Sequence, residues 1–228
     1  MSSITPILKH SPLFNTISDA NINALLGCLS ATQKVYHADE CIFSTGTQVD
    51  SIYIVLKGRV ELVKETLHGD RSLLSLIEPC QLFAEGIVCT SHRLSPLSAY
   101  ASTTTTLLLI PYERITLSCS SNCLFHIQLI RNMLTILGNK NYSLNTKLDF
   151  MLIKGIKQKV AAYLMLESKT QQSLSFNITL NRNELAEFLN VSRPSMSREL
   201  AVLKSEGIID YYKNSFKIID LDLLADHL

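Results

Sequence analysis

From Asn122 onward the apolar positions recur at alternating steps of three and four residues: Ile127, Ile130, Leu134, Leu137, then Asn141, Leu144, Leu148 and Met151. A period near 3.5 held over this length is the seam of a coiled coil. Its one polar member, Asn141, falls at an a position, where a buried asparagine fixes two-stranded parallel register by pairing with its symmetry mate. A second stripe, Phe125, Leu129, Met133 and Ile136, runs along another side and would lay the same helix on a globular domain. The pattern therefore predicts a helix over 119–149 that joins two copies through Ile127, Ile130, Leu134, Leu137, Asn141, Leu144 and Leu148. A long core helix within a monomer is the competing reading.

Upstream the period is that of strands. Ser51 to Leu56, Arg59 to Lys64, Ser72 to Ile77 and Thr105 to Ile110 are short and apolar-rich, with turn signals at Gly46, Gly58 and His68-Gly69-Asp70. They predict an antiparallel β domain over 1–118. Ahead of it, Ile22, Leu25, Leu26 and Leu29 make a short amphipathic helix behind a Ser18 or Asp19 cap.

Downstream, over 150–228, a helix (Ile156 to Glu167) and a strand (Phe176 to Leu180) precede two short helices. Asn181-Arg182-Asn183-Glu184 is a capping-box pattern opening a helix to Leu189, and Asn190-Val191 breaks it. Ser192 caps a second helix to Ser205, with Pro194 in the first turn and Gly207 beyond the end. Two helices joined by a tight turn make a helix-turn-helix. The strand-like Ile208 to Tyr212 and Ser215 to Ile219 add a wing. On the second helix Met196, Leu200 and Leu203 point inward, which leaves Ser192, Arg193, Ser195, Ser197 and Arg198 outside. An arginine there can grip guanine O6 and N7 with two parallel hydrogen bonds, while serine hydroxyls and helix N-terminal amides suit phosphate oxygens.

Composition narrows the classes. The 228 residues are 46% hydrophobic and 18% charged, with 8 glycines and 6 prolines, which excludes a disordered or collagen-like chain. The net charge of +1 gives no bulk attraction to nucleic acid. DNA binding must come from a local cluster of Arg182, Arg193, Arg198, Lys204 and Lys213. The densest apolar run, Leu107 to Ile110, is far short of the roughly 20 residues that cross a bilayer. Residues 1–10 lack a basic start followed by an apolar core, so a cytoplasmic protein is expected. The six cysteines are then expected as thiols, most of them small core residues. Phosphate loops, zinc-protease motifs and nucleophile elbows are missing from the chain, and no enzyme is expected.

The run from Leu180 through Asn181-Arg182-Asn183-Glu184 to Ser192-Arg193-Pro194-Ser195-Met196-Ser197-Arg198 and Leu200 closely resembles the DNA-binding motif of the CRP/FNR family of bacterial transcription regulators. Gly46, the run from Tyr53 to Val60 and Leu82-Phe83-Ala84-Glu85 resemble that family's cyclic-nucleotide-binding β-roll, and the heptad helix resembles its dimerisation helix. The resemblance implies an α+β chain: an antiparallel β-roll, a long dimerisation helix and a C-terminal winged helix-turn-helix. It implies a homodimeric, sequence-specific regulator on an inverted-repeat operator in double-stranded DNA, with RNA polymerase as a further partner if it activates. Arg193 and Arg198 would take recognition positions and Ser192 a backbone position. Pro194 stands where several members carry a base-reading glutamate. The other function class to weigh is a ligand-binding module that acts through a protein partner.

In cyclic-nucleotide-binding members a Gly-Glu turn and an arginine before a Ser/Thr-Ala pair hold the phosphate. Here the same places carry Ala84-Glu85 and Leu97-Ser98-Ala99, so cyclic AMP is not the expected effector. Residues 1–27 contain no cysteine, so the family's iron–sulfur cluster is not carried over. What remains as a sensor is Cys119, Cys123 and His126, which could hold a metal or haem or act as redox thiols, or be two thiols and a bonded histidine at a domain junction.

Overall fold

The computed structural model describes residues 4–65, 71–116 and 124–228. It divides into two compact units, Met1–Asn139 and Lys140–Leu228. The stretch expected as a separate helix over 119–149 is shared between them.

The first unit opens with α1 (Thr5–Leu8), a 3-10 turn (Pro12–Phe14) and α2 (Asp19–Cys28). Strands β1 (Thr32–Tyr36), β2 (Cys41–Phe43), β3 (Ser51–Lys57), β4 (Val60–Glu65), β5 (Arg71–Ile77) and β6 (Leu82–Phe83) follow. Then come α3 (Glu85–Val88), β7 (Ser98–Ala101), β8 (Thr105–Pro111), α4 (Tyr112–Thr116) and α5 (Leu124–Leu152), whose first half belongs here. The strands form two antiparallel sheets, β1-β8-β3-β6 and β2-β7-β4-β5. β3 lies at the centre: Ile52, Tyr53, Ile54, Val55 and Leu56 are all buried, so both of its faces are covered. Tyr53 stacks on Phe83 at 5.1 Å.

The β3–β4 turn depends on Gly58. At φ +87° a side chain is disfavoured, and a Cβ would lie 2.6 Å from the Thr104 carbonyl oxygen. The stripe Leu129, Met133 and Ile136 of α5 is buried in this core, with Phe125 partly so. Asn132, on the same side, is buried and donates from Nδ2 to the carbonyls of Leu13 (2.9 Å) and Asn15 (2.8 Å), which ties the helix to the N-terminal segment.

The second unit holds the rest of α5, then α6 (Ile156–Gln171), β9 (Ser175–Asn177), α7 (Arg182–Phe188), α8 (Arg193–Ser205), β10 (Ile209–Tyr212), β11 (Ser215–Ile218) and α9 (Leu221–Ala225). Its sheet, β10-β11-β9, is antiparallel. Phe150, Tyr163, Leu185, Met196, Leu200, Leu203 and Phe216 fill its core.

Periodicity found the long strands and missed β1, β2, β6 and β7, whose pairing comes from neighbours distant in sequence. The expected strand from Phe176 to Leu180 ends at Asn177, and Ser18 makes no side-chain cap on α2. The cysteine expectation needs correcting: Cys28, Cys41 and Cys89 are exposed and Cys80 is partly buried. Cys41 lies on the short strand β2 and Cys80 sits in a turn at φ +71°, places set by the backbone rather than by burial. No described helix is long and apolar enough to cross a membrane.

Candidate nucleic-acid interface

Both ends of α7 are fixed by its own residues. Asn181 Oδ1 accepts from the backbone N–H groups of Asn183 (2.9 Å) and Glu184 (3.1 Å), and Glu184 Oε2 accepts from that of Asn181 (2.7 Å). That is the capping box expected from the sequence. At the other end Asn190 takes the left-handed conformation, φ +51°. The Asn190 N–H then bonds Glu187 and the Val191 N–H bonds Ala186, which closes a Schellman turn.

The chain re-enters helix at once. Ser192 Oγ accepts from the Ser195 N–H (3.2 Å) and caps α8, with Pro194 inside the first turn, where its missing N–H costs nothing. Met196, Leu200 and Leu203 are buried at successive turns and hold α8 against the domain. The opposite side is open: Ser192, Arg193, Ser197 and Arg198 are exposed, and Ser195 is partly so.

The open side is organised by neutral partners. Ser192 Oγ donates to Ser195 Oγ (2.7 Å), which also accepts from an Arg198 guanidinium nitrogen (3.1 Å). Arg193 donates to Asn183 Oδ1 (3.1 Å), which links α8 back to α7. Among the described residues neither Arg193 nor Arg198 meets a carboxylate. These two guanidiniums are held in place without being neutralised.

The other cations named from the sequence are placed differently. Arg182 is half-buried, donates to the Lys213 carbonyl (2.9 Å), and lies over the rings of Tyr211 (5.0 Å) and Phe216 (4.8 Å). Burial lowers the pKa of its guanidinium. Lys204 is bound by Asp210 at 2.6 Å, whose carboxyl it holds below the usual range. Lys213, at φ +52° in the wing turn, lies 5.5 Å from the ring centroid of Tyr212, which is exposed. Sequence reasoning missed the Asn183 contact to Arg193, and it placed the break at Asn190-Val191 without the left-handed cap that makes it. The second was open to detection, because asparagine tolerates the left-handed cap better than most residues.

Along α5 the seam positions Ile130 and Leu137 are partly buried against the first unit's core. Ile127, Leu134, Leu144, Leu148 and Met151 are exposed apolar side chains, about half or more of each open to solvent. Asn141 is exposed and accepts from Asn145 Nδ2 (3.1 Å).

In the β unit Ala84 holds the left-handed conformation, φ +68°, and Glu85 is buried behind it. Leu97 packs on the core. The Ser98 hydroxyl accepts from the Thr45 N–H (3.0 Å) and donates to Glu65 Oε2 (3.3 Å). Glu65 Oε1 also takes Tyr100 OH (3.2 Å) and Arg71 Nε (2.9 Å). Arg93 is engaged too, with Asp50 (3.3 Å), Glu113 (3.7 Å) and the ring of Tyr112. His126 is buried, with Nε2 2.8 Å from the Arg114 carbonyl and Nδ1 unpartnered among the described residues. Cys119 and Cys123 lie outside the described residues.

A family model described as a cyclic nucleotide-binding domain matches residues 33–122, and one described as a Crp-like helix-turn-helix domain matches 158–227. Among curated proteins, the cyclic AMP receptor protein of Thermus thermophilus is 24% identical over 219 residues, 96% of this chain and 97% of that protein. The transcriptional activator protein FnrA of Stutzerimonas stutzeri is 20% identical over 186 residues, 79% of this chain and 74% of its own. Among solved structures, the catabolite activator protein of Thermus thermophilus superposes with a TM-score of 0.53 at 25% identity, over 95% of this chain and 98% of that one.

Proposed function

The chain belongs to the CRP/FNR family of DNA-binding transcription regulators, and from that premise we propose that it is a homodimer that reads an inverted-repeat operator through α8. The observation that carries the reading is the open side of α8, where Arg193 and Arg198 are steadied by Asn183 and Ser195 and meet no carboxylate among the described residues. Arg198 reads a base, guanine by its bidentate geometry, and Arg193 takes the neighbouring contact. Ser192, Ser195, Ser197 and the first amides of α8 sit on phosphate. Arg182 belongs to the same interface by holding the wing turn at Lys213.

Dimerisation is proposed through Ile127, Ile130, Leu134, Leu137, Asn141, Leu144 and Leu148. Exposed leucines at heptad spacing on one helix are a face that water disfavours and a second copy would bury. As an activator, the dimer would work alongside RNA polymerase.

The β-roll is proposed to answer a signal other than cyclic AMP. The Thermus relative is named for that ligand, but Leu97 offers no cation here and the Ser98 hydroxyl is already committed to the Glu65 carboxylate. A second anion about 4 Å from that carboxylate costs about 1 kcal/mol in water and about 4 kcal/mol at the effective dielectric of a protein surface. Cys119, Cys123 and His126 are the proposed sensor, with haem, a metal or thiol redox chemistry as the signal. Since His126 Nε2 faces a carbonyl, Nδ1 is the nitrogen that would serve.

The test is selection of bound duplexes from a randomised pool by the full-length protein. The expected product is an inverted repeat whose half-sites are about one helical turn, roughly 34 Å, apart. Enrichment of single, unpaired half-sites would contradict the dimeric reading.

A further inference from the structure

Lys159 is 6% exposed, an unusual place for an ammonium. It lies in the first turn of α6, close to the positive end of its own helix dipole, so α6 gains nothing from its charge. Among the described residues no carboxylate pairs with it. Its Nζ instead donates to the Leu189 carbonyl oxygen at 2.9 Å. A buried cation is tolerated only where something specific compensates it.

The compensation lies at the C-terminus of α7. Three carbonyls there are met by backbone N–H groups: Leu185 by Leu189, Ala186 by Val191 and Glu187 by Asn190. The Leu189 carbonyl falls outside that pattern, at the negative end of the α7 dipole, and Lys159 takes it. Leu189 is the last residue before the left-handed Asn190, and Ser192 caps α8 only three residues on. The ammonium thus grips the turn that sets the direction of α8.

We propose that Lys159 is a positioning residue for DNA recognition: through the Leu189 carbonyl it fixes the turn between α7 and α8, and so the aim of Arg193 and Arg198. The proposal rests on α8 being the recognition helix. Being buried, Lys159 acts without touching DNA, and this separates it from the phosphate-binding lysines that a DNA-binding domain ordinarily carries.

The experiment uses the full-length protein and two probes, the duplex selected by the wild type from a randomised pool and a random duplex of equal length. Lys159→Met keeps the stem and removes the charge. Affinity for the selected duplex should fall about tenfold, the scale of a lost charge-assisted hydrogen bond. Random-duplex affinity and the slope of log affinity against log salt should stay as in the wild type, because no phosphate contact is removed. The Asn190 and Val191 amides should exchange faster with solvent, and Lys159→Arg should restore most of the affinity. Wild-type affinity for the selected duplex in a folded Lys159→Met protein overturns the proposal. So does an equal loss on both duplexes with a shallower salt slope.

If Lys159→Met does not fold, Lys159→Gln, which keeps a polar head but removes the charge and is too short to reach the Leu189 carbonyl from the same backbone position, takes its place. A loss confined to the selected duplex then supports the proposal, and none, or an equal loss on both, overturns it. Arg198→Ala is measured in parallel. If it too weakens both duplexes equally, the recognition reading of α8 fails, whereas a base-specific Arg198 effect beside a silent Lys159→Met overturns the Lys159 proposal alone.

Discussion

The two units treat arginine in opposite ways. In the β unit Arg59 meets Glu78, Arg71 meets Glu65, and Arg93 meets Asp50 and Glu113. In the helix-turn-helix Arg193 and Arg198 are held by an asparagine oxygen and a serine hydroxyl. A carboxylate partner spends the charge locally, and such surface pairs add about 0–1 kcal/mol each to stability. A neutral acceptor orders the guanidinium and leaves its charge for a phosphate or a base edge. The first unit has closed its polar groups on one another around Glu65, while the second keeps two arginines that meet no carboxylate among the described residues.

The helix α5 contributes residues to both units, and the largest expected effect belongs to it. Leu134 and Leu144 are 64% and 61% exposed in the protomer, so replacing both with aspartate should leave the fold intact. Charge buried across the seam without a partner costs about 3–5 kcal/mol. Sedimentation should show wild-type dimer and mutant monomer at micromolar concentration, with operator binding lost in the mutant. A monomeric wild type would contradict the seam.

A smaller effect, of about 1–4 kcal/mol, is expected to separate this β-roll from one that grips a cyclic phosphate. Calorimetric titration should therefore find no micromolar affinity for cyclic AMP. If such affinity appears, the closed Glu65 network is not a barrier and the comparison between the units weakens. Smaller again is the expected cost of replacing Cys119, Cys123 and His126 together with Ser, Ser and Gln. Thermal stability should shift by about 1 kcal/mol, the worth of the His126 hydrogen bond, while any redox- or metal-dependent change in DNA affinity disappears. A response that survives returns these residues to a structural role.

How much was legible in the sequence follows the same division. The capping box at Asn181, the Ser192 cap, the buried Met196, Leu200 and Leu203, and the stripe Leu129, Met133 and Ile136 are local patterns of 3 to 4 residues, and each is found where the pattern puts it. The ties that aim the site are long-range. Lys159 meets Leu189 across 30 residues and Arg182 meets Lys213 across 31, and a side chain that reaches a backbone carbonyl leaves no periodic trace. Glu65 was equally hidden, since its partners Ser98 and Tyr100 lie on β7, a strand too short to show alternation.

The central claim is that α8 presents charge that reads bases as well as phosphates. It is tested most directly by titrating wild type and Arg198→Ala against the selected operator and a random duplex at one fixed salt concentration. The account predicts a loss of about 1–3 kcal/mol on the operator, relaxed preference at one symmetric base position, and a much smaller change on the random duplex. An equal loss on both duplexes would make Arg198 a backbone contact and contradict the assignment of base reading to α8.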